Sequence, residues 1–172
     1  MKIYSKLLPK LGRDIVRELL DAGDIEIEPE NVPAAEEDFA AIVGEYLRQD
    51  AELNESAKDL LARRGWNASK FGEARRVMAE TRRFPIGDDG VDYVIEQMLE
   101  FMMISSRIEE VFAPDHAMRK RIVGVLRRYM QIDDEVDTEV RKRLKHLQEG
   151  TRDWEIQYQR TAEQVRRNKG LI

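Results

Sequence analysis

Leu7-Leu8-Pro9-Lys10-Leu11-Gly12-Arg13-Asp14-Ile15-Val16-Arg17-Glu18-Leu19-Leu20 places its apolar residues at spacings of three and four. Leu8, Leu11, Ile15 and Leu19, with Leu7, Val16 and Leu20 beside them, therefore share one face of a helix. Pro9 fits only in the first turn of that helix, and Gly23 is placed to stop it. Ile25-Glu26-Ile27-Glu28 alternates but is too short to be more than an extended connector.

The helical period continues along the chain. Pro33 opens a second helix with the face Phe39, Ile42, Val43, Tyr46 and Leu47. Asn54 is a candidate N-cap for a third, carrying Leu53, Ala57, Leu60 and Leu61 up to Gly65. A fourth runs from about Ser69 to Arg82 through Phe71, Ala74 and Met78. Phe84-Pro85-Ile86-Gly87-Asp88-Asp89-Gly90 has no helical period and two glycines, which marks a linker. Val94, Ile95, Met98, Leu99 and Met102 then form a fifth helix. Pro114 and Asp115 cap a sixth with Ile122, Val125, Leu126 and Tyr129. Val136, Val140, Leu144 and Leu147 mark a seventh, begun by Asp133 or Asp134 and ended by Gly150. Asp153 starts an eighth through Trp154, Tyr158, Ala162 and Val165. No strand-length alternation survives, so the expected fold is all-α.

The order of elements repeats. Ile15-Val16-Arg17-Glu18-Leu19-Leu20 matches Val94-Ile95-Glu96-Gln97-Met98-Leu99 at an offset of 79, and Tyr46, Asp50, Glu52 and Leu61 match Tyr129, Asp133, Glu135 and Leu144 at an offset of 83. Charge follows the same rhythm. Residues 1–60 hold 7 basic and 15 acidic groups, 61–90 hold 7 and 4, 91–140 hold 6 and 11, and 141–172 hold 9 and 4. The expectation is an internal duplication of two similar four-helix units: residues 1–84, a linker at 85–90, and residues 91–172. Fused copies of a self-associating unit are expected to pack about a pseudo-twofold axis.

Composition bounds the function. Leu, Ile, Val and Phe number 44 of 172 residues, enough for a core, while 37% of the chain is charged at a net −5. That balance excludes a uniformly basic nucleic-acid binder. The absence of Cys removes disulfides, thiolate nucleophiles and cysteine zinc sites. No apolar run approaches the length of a membrane span, and Lys2, Lys6, Lys10 and Arg13 interrupt any secretory pattern, so a cytoplasmic location is expected.

Candidate chemistry is sparse. Asp133, Glu135, Asp137 and Glu139 alternate like calcium ligands, but the positions that a calcium loop reserves for Gly and a bidentate Glu hold Thr138 and Leu144. They are better read as helix-start acids. His116 and His146 sit in no metal-binding spacing, Ser105-Ser106 in no nucleophile elbow, and Gly87 and Gly90 in no phosphate loop. No catalytic, metal or cofactor site is expected.

The arginine pairs carry the remaining signal. Arg75, Arg76, Arg82 and Arg83 in the first half, and Arg160, Arg166 and Arg167 in the second, bring guanidinium groups onto one side of each unit's last helix. Such stripes either hold phosphates or an acidic partner, or are solvated faces paired within the chain. Trp66 and Trp154 either anchor an interface or stack on a base, or are buried where the last helix turns back. Met98, Met102 and Met103 beside Phe101 read as core first and as an adaptable groove second.

Ile132-Asp133-Asp134-Glu135-Val136-Asp137-Thr138-Glu139-Val140-Arg141, then Gly150-Thr151-Arg152-Asp153-Trp154, Tyr158 and Arg166-Arg167, resembles the bacterial family catalogued as domain of unknown function 507. Met1-Lys2-Ile3 is similar to the start of its members. Those members are about half this length, so the resemblance implies a tandem fusion; it implies no activity. The expected function is a non-catalytic protein interaction or assembly module, with nucleic-acid binding by the basic last helices as the alternative. Under the burial reading, Trp154→Ala is expected to cost about 3 to 5 kcal/mol and Arg166→Ala almost nothing.

Overall fold

A computed structural model describes residues 1–172 and contains six α-helices. They are α1 (Leu8–Asp21), α2 (Val32–Arg64), α3 (Phe71–Arg82), α4 (Asp88–Ile104), α5 (Asp115–Arg143) and α6 (Arg152–Asn168). The fold is all-α apart from one ribbon. In it β1 (Ile25–Glu26) pairs antiparallel with β2 (Glu110–Val111), Ile25 opposite Val111 and Glu26 opposite Glu110. The connector read as merely extended is thus half of a two-stranded pairing, whose other half no alternation in the sequence announced. No helix is long and apolar enough to cross a membrane.

Each half has three α-helices rather than the four expected. The predicted second and third helices are one continuous 33-residue helix, α2, and the sixth and seventh are one 29-residue helix, α5. No Gly or Pro lies between Leu47 and Asn54 to break α2, and Arg48 links Glu45 to Glu52 across two of its turns. The residues read as N-caps have other partners. Asn54 accepts a hydrogen bond from Arg75 Nε of α3 at 2.8 Å. Asp133 accepts from the Tyr4 hydroxyl at 2.7 Å and from Lys2 Nζ at 3.0 Å. Side chains that could cap a helix start instead point sideways and fasten other segments to its middle.

Helix α4 begins at Asp88, so only the first part of the predicted 85–90 linker is non-helical. Asp88 and Asp89 lie in its first turn, where their charge favours the free N–H groups. Gly87 before them has φ 64°, a left-handed conformation that costs glycine nothing.

The main core draws on both halves of the chain. Leu11, Ile15, Val16 and Leu19 of α1 join Phe39, Val43 and Tyr46 of α2, Val94, Ile95 and Met98 of α4, and Ile122, Leu126 and Tyr129 of α5. Helix α1 packs against both α2 and α5, and α4 against both α5 and α2. Each sealed aliphatic or aromatic side chain there contributes about 1.5 to 3 kcal/mol. A smaller second core joins Val136, Val140 and Leu144 of α5 to Ala162 and Val165 of α6 and to Leu171. In the first half, α3 lies along α2.

Two helical glycines set how closely the helices approach. A methyl at Gly12 would run into the Glu36 carbonyl of α2, and one at Gly90 would meet the Tyr46 ring. Gly124 of α5 has nothing near its Cβ position. Gly12→Ala is therefore expected to destabilise the fold by about 1 to 3 kcal/mol, because a backbone carbonyl cannot swing aside. Gly90→Ala should cost a comparable amount, since the Tyr46 ring is sealed in the core with its hydroxyl bonded to the Pro85 carbonyl, and that carbonyl closes the same space. Gly124→Ala should stabilise by about 0.5 to 1 kcal/mol, the ordinary gain of alanine over glycine in a helix. Urea denaturation of the three variants checks the order.

Candidate interaction surface

The basic stripes expected on the last helices are largely occupied within the chain. Arg75 donates to Asn54 and also pairs with Asp50 of α2. Arg82 donates to Ser56 Oγ at 2.5 Å. Arg83 ends α3 in the left-handed region, with φ 52°. Arg166 donates to the Tyr4 hydroxyl at 3.2 Å with its guanidinium 6.0 Å from that ring, and Arg167 pairs with Glu163. Arg76 and Arg160 are exposed.

Both tryptophans are half-buried. The Arg64 guanidinium lies 4.8 Å from the centroid of the Trp66 ring. Trp154 stacks on Tyr158 with centroids 5.0 Å apart and has Arg141 over it at 5.5 Å. Thr151 caps α6 by accepting from the Trp154 N–H at 3.3 Å, which holds the indole over the second core.

Two surface grooves lie where α1 and α4 cross the long helix of the other half, and of their residues the sequence marks only Phe101 as part of a groove. The α2/α4 groove, about 450 Å³, is floored by Ile42, Tyr46, Tyr93 and Phe101, with the exposed Ile104 beside them, and rimmed by Asp38, Glu45 and Glu100. No cation lines it. Tyr93 packs against Tyr46 with centroids 6.4 Å apart, and Phe101 meets Phe39 edge-on at 5.4 Å, so the floor rests on the core. Ile104 is 84% exposed and Met103 71%. Met98 and Met102 are buried, so the methionine run divides between core and surface. The sequence signal was the apolar run at the end of α4, where Met103 and Ile104 extend beyond the face that the core can cover.

The second groove, about 490 Å³, lies between α1 and α5 and holds Lys120, Arg121 and Arg128, with His116 at one end and a single carboxylate, Glu18. Its floor is small: Ala117, Gly124 and Val125. Arg121 Nε donates at 2.7 Å to the buried Asp24, which fixes α5 to the end of α1. Arg128 lies 3.7 Å from Glu18. His116, Lys120, Gly124 and Arg128 recur every four residues, a stripe that becomes visible as a groove wall only once α1 is placed beside it.

Hydrogen bonds shift several titrations. Donation from Tyr158, then from Arg141, holds the Asp137 carboxyl below its ordinary value of 3.8. Burial, then the hydrogen bond to Asp137, pushes Tyr158 up to about 12. Arg48, then Gln49, holds Glu45 down to about 2. Burial raises Tyr129, and its hydrogen bond to Asp14 of α1, at 2.6 Å, raises it further.

The half-burial of Trp154 lowers the expected cost of Trp154→Ala to about 1.5 to 3 kcal/mol, while Arg166→Ala now removes a hydrogen bond and a ring contact and is expected to cost about 0.5 to 1 kcal/mol. Chemical denaturation checks both. Acid should loosen α6 through Asp137. Its folded-state pKa is depressed, so its contribution is present above the unfolded value near 3.8 and is lost as pH falls through the lower folded value. Trp154 fluorescence in a Trp66→Phe background should report that transition between about pH 4 and pH 2, and Asp137→Asn should remove it.

No curated protein matches the chain. The model of one family matches residues 1–171, so the chain belongs to the family described as "Protein of unknown function (DUF507)".

Proposed function

We propose that this protein is a non-catalytic interaction or assembly module, made of two fused copies of one helical unit related by a pseudo-twofold axis. The observation that carries the interaction reading is the α2/α4 groove, an apolar floor left open on the surface with three carboxylates around it. Exposed contiguous apolar surface rimmed by polar groups is what a protein partner covers.

The duplication rests on equivalent contacts. Each half runs helix, two-residue strand, long helix, short helix, and the two strands pair antiparallel as dyad mates would. At the offset of 83, Ala35, Phe39, Val43, Tyr46, Leu53 and Ala57 of α2 fall on Met118, Ile122, Leu126, Tyr129, Val136 and Val140 of α5, and all twelve are buried. The crossings correspond too. Arg13 of α1 lies 3.9 Å from Glu36 of α2, and the equivalent pair, Asp92 of α4 and Arg119 of α5, lies at 4.0 Å with its signs exchanged. Asn54 and Asp137, again equivalent, each fasten the short last helix of their half, through Arg75 and Tyr158.

Nucleic-acid binding along the last helices is the weaker reading, because Arg75, Arg82, Arg166 and Arg167 already have partners within the chain. Two assays decide. Ile104→Asp, at an exposed position, should leave the unfolding midpoint within about 0.5 kcal/mol yet reduce capture of a native-host protein roughly tenfold in pull-downs read by mass spectrometry. Unchanged capture removes the groove from the reading. Salt-sensitive retention of DNA or RNA in a filter-binding titration at micromolar protein would overturn it in favour of the nucleic-acid alternative.

A further inference from the structure

From the opposite charge of the two grooves we infer that the acidic α2/α4 groove docks onto the basic α1/α5 groove of a second copy of this chain, an inference that rests on the duplicated interaction module above. The grooves occupy equivalent places, since each lies where the first helix of one half crosses the long helix of the other. At the offset of 83, the apolar positions of α2 and α5 keep their character while the outward positions reverse sign. Glu37 corresponds to Lys120, Asp38 to Arg121, and Glu45 to Arg128.

Solvent exposure alone asks only that these positions be polar. Their coordinated reversal makes the two faces complementary to one another and each repulsive to itself. Three carboxylates and no cation line one groove, while three cations and one carboxylate line the other. Asp38 is paired with Arg107, Glu45 with Arg48, Arg121 with Asp24 and Arg128 with Glu18, whereas Glu100 on the acidic face and Lys120 on the basic face have no ion-pair partner within the chain and are available to an intermolecular contact. Shape agrees with charge. Ile104 projects from the acidic face, and the basic face has a floor of Ala117 and Gly124 with open space above the glycine. One kind of partner, a further copy of this chain, therefore fits either groove. The contact joins unlike faces, so it is heterologous, and each copy keeps one face free for the next unless the ring closes.

Sedimentation velocity on the full chain tests this. The wild type should self-associate at about 100 μM in low salt and dissociate as salt rises from about 0.05 M to about 0.3 M. Lys120→Glu with Arg128→Glu gives a chain with two acidic faces, and Glu45→Lys with Glu100→Lys gives one with two basic faces. Each should be monomeric alone, and a 1:1 mixture should associate again, through the intact acidic face of the first variant on the intact basic face of the second and through the charge-reversed pair. Circular dichroism verifies that both fold, and Lys120→Gln with Arg128→Gln, which adds no repulsion, should weaken association about tenfold. A monomeric wild type, association that persists in either reversed variant, or a mixture that stays monomeric overturns the self-docking. The interaction reading is judged separately. If the wild type is monomeric but Ile104→Asp still loses a host protein, only the identity of the occupant fails; if neither association nor capture is found, both fail.

Discussion

Everything in this fold depends on α1 and α4 having too much apolar surface to bury against one neighbour. In α1, Leu11, Ile15, Val16 and Leu19 are all sealed from solvent, and no single partner helix could cover that width. The helix therefore lies between α2 of its own half and α5 of the other, and α4 lies correspondingly between α5 and α2. That double engagement puts residues from both ends of the sequence in one interior and leaves neither half with a separate main core. The short β1–β2 ribbon and the Asp24–Arg121 ion pair secure the same crossing at its edge.

The crossing also shapes the surface. A helix laid across a long partner leaves a groove beside it, and the residues on the outer turns of α2 and α5 become the walls. Polar side chains on those turns cost the fold little, so their sign is free to differ between the two grooves without disturbing the packing beneath.

The long helices bear a second set of contacts further along. Asp50 and Asn54 of α2 hold α3 through Arg75, while Asp133 and Asp137 of α5 hold the N-terminal segment and α6 through Tyr4, Lys2 and Tyr158. Apart from the exposed Lys2 these groups are half-buried, where hydrogen bonds to charged acceptors are stronger than at a free surface and where a lost partner leaves a carboxylate poorly solvated. The last helices, with few buried residues of their own, are thus fastened by polar anchors as well as by apolar contact, which for α6 is the second core and the Trp154–Tyr158 stack.

By itself the sequence determined the helical class and most core residues, because the period of apolar residues is local and 3.6 residues per turn leaves a direct imprint. It also carried the family resemblance, in the acidic run at 132–141 and the Gly150-to-Arg167 segment. It misplaced the breaks in α2 and α5, since Asn54 and Asp133 are compatible with either a cap or a mid-helix anchor, and the choice lies with partners 21 to 131 residues away. Only the tertiary structure decided which arginines are engaged and which are free, how the methionine run divides between core and surface, and that Lys120 and Arg128 face Glu18 across a groove. Those outcomes depend on which helix lies beside which, and that arrangement is set by burying both faces of α1 and α4 at once, a requirement no local window of sequence contains.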